Sequence, residues 1–176
     1  MKGKNFLLAF CLVFFSTSGL FAQDFEYIGA SKCKMCHNKA AKGEQYNKWK
    51  AGPHANSMKS LSTPEAAEIA KAKGIADATK DASCLKCHSS YHAINQDLNI
   101  SLKETEGVSC ESCHGPGSKY KSKTVMQDQA KSLANGLILP VEKVCVGCHN
   151  EESPTFKGFN FDEAIKKISH LDPTLE

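Results

Sequence analysis

Four copies of one five-residue pattern govern what this 176-residue chain can fold into: CKMCH at 33–37, CLKCH at 84–88, CESCH at 110–114 and CVGCH at 145–149. Each sets two cysteines three apart and a histidine directly behind the second. On a helical turn that spacing brings both sulfurs to one face. The chain has nine cysteines; apart from Cys11, the motifs consume them all as Cys33 and Cys36, Cys84 and Cys87, Cys110 and Cys113, Cys145 and Cys148. Three chemistries compete. Disulfides suit an even count in an exported chain but need no histidine at a fixed place. Two four-cysteine zinc sites would also leave the histidine idle. Covalent haem attachment uses every member, because the sulfurs bond the two vinyl groups along one haem edge and the next residue binds iron from the proximal side. The expected cofactors are therefore four covalently bound haem c groups. His37, His88, His114 and His149 are the expected proximal ligands.

The N-terminus agrees with that chemistry. Lys2 and Lys4 precede the apolar run FLLAFCLVFF, and LFA precedes Gln23, the layout of a secretory signal peptide over residues 1–22 with cleavage after Ala22. The run is short for a membrane span, and an uncleaved anchor is the competing reading. Cys11 follows bulky Phe10, which suits lipoprotein-type cleavage poorly. No later segment is apolar enough to span a bilayer, so residues 23–176 are expected to form one soluble tetrahaem domain exported to the periplasm. Every one of the 22 basic residues is lysine. Without the leader, the positive and negative charges nearly cancel, which argues against a nucleic-acid partner. About 38 residues surround each macrocycle, too few to insulate it singly. The expected fold is mainly α with extensive loops, a compact multihaem cytochrome c in which haems form much of the core. Haem propionates would add about eight negative charges at neutral pH.

Four six-coordinate haems need eight axial ligands, and the chain has seven histidines. His54, His92 and His170 remain for the distal positions, each competing with an ordinary surface role. His92 stands four residues after His88, a stretch of at most about 14 Å, so it serves a different haem. The missing ligand leaves one sixth position vacant, filled by Met58 or Met126, or filled from a neighbouring molecule, which would imply self-association. Met35 is badly placed inside its own clamp. A vacant iron would admit small molecules such as nitric oxide.

Short helices and loops dominate the rest, with no alternating strand pattern. SLSTPEAAEIAKAKG has Thr63 as N-cap, Pro64 in the first turn and Gly74 as a stop. VMQDQAKSLANG reads as a helix ending at Gly136, and LILPVEKVCVGCH restarts at Pro140 to lead a helix into the last clamp. FDEAIKKISH is a short amphipathic run ending at His170. Tyr46, Trp49, Phe156, Phe159 and Phe161 suit core packing or contact with haem faces. Lys119, Lys121 and Lys123 form either a solvated face or a guide for an acidic redox partner.

YIGASKCKMCH followed by W…GPHANSM, then GVSCESCHGPGSKY and VCVGCHNEESPTFKGF, resembles the cytochrome c-554 family of tetrahaem proteins over essentially the whole mature chain. The resemblance implies two histidines on each of three haems and an open or weakly filled distal side on the haem of the second motif. By local context His54 and His92 match the family's distal ligands, and His170 matches by position. The chain departs from the family in the short gap between His88 and His92. The best known members shuttle electrons from hydroxylamine oxidation in nitrifiers. The expected function is a periplasmic carrier passing electrons between a donor and an acceptor protein in a respiratory chain. The alternative is a haem enzyme reducing nitric oxide, nitrite or hydroxylamine at the incompletely ligated haem.

Overall fold

A computed structural model describes residues 25–174; the expected signal peptide lies outside that range. The motifs sit where their spacing requires a helical turn. Helix α1 (Ala30–His37) contains the whole first motif. After α2 (Gln45–Ala51), α3 (Ser57–Ser60) and α4 (Pro64–Ala72), the second motif closes α5 (Ala82–His88). Helix α6 (Ser90–Ala93) follows at once, and the third motif is the whole of α7 (Cys110–His114). Helices α8 (Lys123–Met126) and α9 (Gln129–Ala134) lead to α10 (Glu142–Cys145), which ends inside the fourth motif. The turn continues there, with the Cys148 and His149 amides donating to the Cys145 carbonyl at 3.1 and 3.0 Å. Helix α11 (Phe161–Ile168) closes the chain, and His170 lies just beyond it.

Local chemistry sets these boundaries. Thr63 caps α4 by accepting the Ala66 amide at 3.2 Å, and Pro64 occupies the first turn, as its sequence predicts. The expected continuous helix before Gly136 is instead two pieces. Asp128 breaks it, because its carboxylate accepts the Lys131 amide at 3.0 Å and starts α9 afresh. Among the described residues, extended pairing is limited to one parallel bridge between Tyr27 and Asn99, and no helix is long and apolar enough to cross a membrane.

Helices this short are marginal alone, so packing has to hold them. A small apolar cluster of Leu61, Ala70, Ala78 and Leu85 ties α4 to the second motif, with Met58, Ile75 and Cys84 packed against it. Trp49 anchors α2 by donating its indole N–H to the Val108 carbonyl at 2.9 Å, just ahead of the third motif. The fold is compact and mainly helical, yet aliphatic side chains supply little of its interior. Among the described residues the buried apolar groups are few.

Candidate functional site

The four motifs, far apart in sequence, converge. The Cys33 thiol of the first lies beside Cys110 of the third, where α1 packs on α7. Cys87 of the second stands beside Cys148 of the fourth, and Cys113 neighbours Cys145. The clamps therefore run in space as first, third, fourth, second. No disulfide joins these eight cysteines. The adjacent Cys33 thiol, then burial, holds the Cys110 thiol well above its ordinary value. Burial, with Cys87 beside it, pushes Cys148 up to about 11. Zinc needs clustered thiolates. Among the described residues no three of the metal-ligating side chains converge on one point, so the four-cysteine zinc arrangement is not formed.

The histidines form a second pattern. His54 faces His149 with ring centroids 6.0 Å apart and planes crossed at 73°. His114 faces His170 at 6.0 Å and 74°. Two imidazoles bound on opposite sides of one metal, with bonds of about 2 Å, have centroids about 6 Å apart. Each pair joins a motif histidine to one of the spare histidines. Burial foremost, then the neighbouring His149 imidazole, lowers the His54 pKa. Burial likewise lowers that of His114, partly offset by the Ile138 carbonyl and reinforced by His170 and His37. Low values keep the rings neutral, the form that binds a metal.

The second ring nitrogens are engaged in the way that orients a ligand. His88 Nδ1 lies 3.0 Å from the Ser57 carbonyl and 3.1 Å from Ser60 Oγ, while Ser57 Oγ donates to the His88 carbonyl at 2.7 Å. His114 Nδ1 lies 3.3 Å from the Ile138 carbonyl, and His170 Nδ1 2.8 Å from that of Ile168. Each contact turns Nε2 away from the backbone, as second partners of metal-bound histidines do. Phe159 stacks on His149 at 5.0 Å. These donor sets fit haem.

His92 is placed differently. Its Nε2 is 3.1 Å from Glu104 Oε1, and its ring meets Tyr91 edge-on. Among the described residues, neither His37 nor His88 faces a second imidazole as His114 and His149 do. Met35 is 73% exposed, and Met58 packs in the apolar cluster.

Sequence reading alone missed Glu111, the residue between the third pair of cysteines. It is buried, and its carboxylate accepts the amides of Ile28 at 2.9 Å, Gly29 at 2.8 Å and Gly117 at 2.7 Å. Glu106 accepts the Ala30 amide at 2.8 Å beside it. The two acids fasten the start of α1 to the third motif. Ser57 and Ser60 were missed as well, and only their place after His54 hinted at a role.

Comparison with known proteins gives one consistent result. The family described as Cytochrome c554 and c-prime matches residues 32–115. Cytochrome c-554 of Nitrosomonas europaea is 29% identical, the alignment covering 94% of this chain and 83% of that protein. The structure of reduced cytochrome c554 from Nitrosomonas europaea matches with a TM-score of 0.60 and 27% identity, covering 85% of this chain and 86% of that one.

Proposed function

Because this chain is a c-type cytochrome, related in sequence and in fold to the cytochrome c-554 family and carrying electrons through covalently attached haem, we propose that it is a periplasmic tetrahaem carrier working between a donor and an acceptor protein of a respiratory chain. In this reading residues 23–176 are the exported domain, and Cys33, Cys36, Cys84, Cys87, Cys110, Cys113, Cys145 and Cys148 attach four haems. His37, His88, His114 and His149 are the proximal ligands. His54 completes the iron of the fourth motif and His170 that of the third. His92, whose Nε2 is taken up by Glu104, has Nδ1 left to offer a haem other than that of His88.

The observation that carries the proposal is the pair of crossed imidazole couples, His54 with His149 and His114 with His170, at one common separation. Bound haem supplies the one-electron iron couple. The residues fix what surrounds it. Paired imidazoles, those of His114 and His170 held by backbone carbonyls, keep the same ligands in both oxidation states, so little rearrangement accompanies transfer, and without an axial methionine a low potential is expected. The row of clamps, with Cys33 against Cys110 and Cys87 against Cys148, keeps neighbouring cofactors close enough for electrons to pass along it.

The test is a haem count on protein matured in a host competent for covalent attachment. Intact mass should equal residues 23–176 plus four haems, and low-temperature electron paramagnetic resonance should find mainly low-spin iron. In His54→Ala one low-spin signal should become high-spin; an unchanged spectrum would remove His54 from the ligand set. A second reading has its own observation. His88 is oriented by Ser57 and Ser60 but faces no second imidazole among the described residues, which favours an accessible iron at the second clamp and reduction of a small nitrogen species there. Rapid nitric oxide binding to one ferric high-spin haem would support it, and four low-spin haems indifferent to nitric oxide would exclude it.

A further inference from the structure

Lysines are distributed unevenly around the four clamps. Residues 30–59 carry seven lysines against one acid, Glu44, whereas residues 60–176 carry thirteen lysines against sixteen acids. Six of the seven lie on α1, on α2 or in the segment between them. Helices α1 and α2 pack together, with Lys34 Nζ 5.5 Å over the Tyr46 ring. Trp49 turns inward to Val108, and Lys32, Lys34, Lys39, Lys48 and Lys50 are all exposed. Lys42 is partnered by Asp172 at 3.5 Å; among the described residues the five exposed lysines form no ion pair with an acid. Met35, next to Lys34 on α1, is 73% exposed.

We propose that this lysine collar on α1, α2 and the segment between them, with exposed Met35 beside Lys34, is the docking face for an acidic redox protein, and that electrons enter or leave the molecule through the first clamp, at one end of the row. The proposal rests on the electron-carrier reading above. Propionates and the acids of residues 60–176 make the rest of the molecule negative, so the collar would be the positive end of a charge dipole. Such a dipole orients an acidic partner before contact and raises its association rate by ten- to a thousandfold at low salt. Lysine keeps its hydration and makes no bidentate clamp, which suits a complex that must dissociate after one transfer. Met35 gives the face an adaptable apolar centre within a charged rim, the anatomy of small transient interfaces. One electron leaves the partner's reduced centre and converts one ferric haem to ferrous, with no bond made or broken.

Stopped-flow reduction by flavodoxin hydroquinone, an acidic one-electron donor, tests this on the fully haem-loaded protein. Lys32→Glu, Lys34→Glu, Lys48→Glu and Lys50→Glu combined should slow the second-order rate at low salt by about tenfold or more. The control Lys119→Glu, Lys121→Glu and Lys123→Glu should change it by less than about twofold, and all three proteins should converge at roughly 0.5 M salt, where screening is short-ranged. Reduction by photoreduced lumiflavin, small and uncharged, should be the same in all three, excluding misfolding. Equal losses in both variants, or none in the first, would overturn the proposal. So would self-association at low salt, or binding to phosphatidylglycerol vesicles, lost only in the first variant while the flavodoxin rate stays unchanged. A haem count that leaves the first clamp bare would instead sink the carrier reading on which the face depends.

Discussion

Glu111 shows how one residue can serve the chemistry without touching it. Its carboxylate gathers backbone amides from Ile28, Gly29 and Gly117, binding the entry of α1 and the loop after the third clamp to one point. Burial raises its pKa despite those hydrogen bonds, and Glu106 adds to the rise. A carboxyl that holds its proton more tightly when folded contributes stability below the unfolded value of about 4.3, and loses that contribution as pH climbs through the folded value. The difference in unfolding free energy between wild type and Glu111→Gln should therefore shift against the wild type as pH rises from about 4. A difference flat with pH in chemical denaturation would count against this. Glu111→Ala, which orphans three buried amides, should cost about 3 kcal/mol or more.

The clamp helices owe their positions to what presses on them from the intervening segments. The 54–57 stretch, which carries His54, rests on Gly107: the Val108 amide donates to the His54 carbonyl at 2.9 Å, and Gly107 has φ of 66°. A β-carbon there would lie 2.7 Å from the His54 carbonyl oxygen and 2.8 Å from Ser57 Oγ. Gly107→Ala should thus push the 54–57 segment away and weaken the approach of His54 to His149. The expected signature is partial loss of one low-spin haem signal with the haem count unchanged, and a wild-type spectrum would refute it. The motifs themselves were legible, since the cysteine and histidine spacing states both its geometry and its chemistry. So was α4, whose Thr63 and Pro64 are local signals. The pairing of His54 with His149 and His170 with His114 was not, because it depends on loops such as that at Gly107 closing over nearly a hundred and over fifty residues of chain. Nor was the break at Asp128, where a capping side chain outcompeted a plausible helical run.

At the scale of the whole molecule, the clamps form a row in which the third and fourth each have two neighbours, while the first and second stand at its ends. The apolar groups buried by the described residues are few, and Ile138, Leu139 and Val141, between the third and fourth clamps, are left exposed by the polypeptide. Haem attached in the middle of the row would therefore supply interior that the chain does not, whereas the second clamp already has the cluster of Leu61, Ala70, Ala78 and Leu85 behind it. Loss of attachment should follow that order. Cys84→Ser with Cys87→Ser should give a folded three-haem protein with a moderately lowered Tm. Cys110→Ser with Cys113→Ser should collapse the yield and abolish cooperative unfolding, because it removes the neighbour of the first clamp and of the fourth at once. Far-UV circular dichroism and thermal melts of the two variants, matured side by side, decide the matter. If the second-clamp variant proves the less stable, the interior is organised around the Leu61 cluster rather than around the middle of the row.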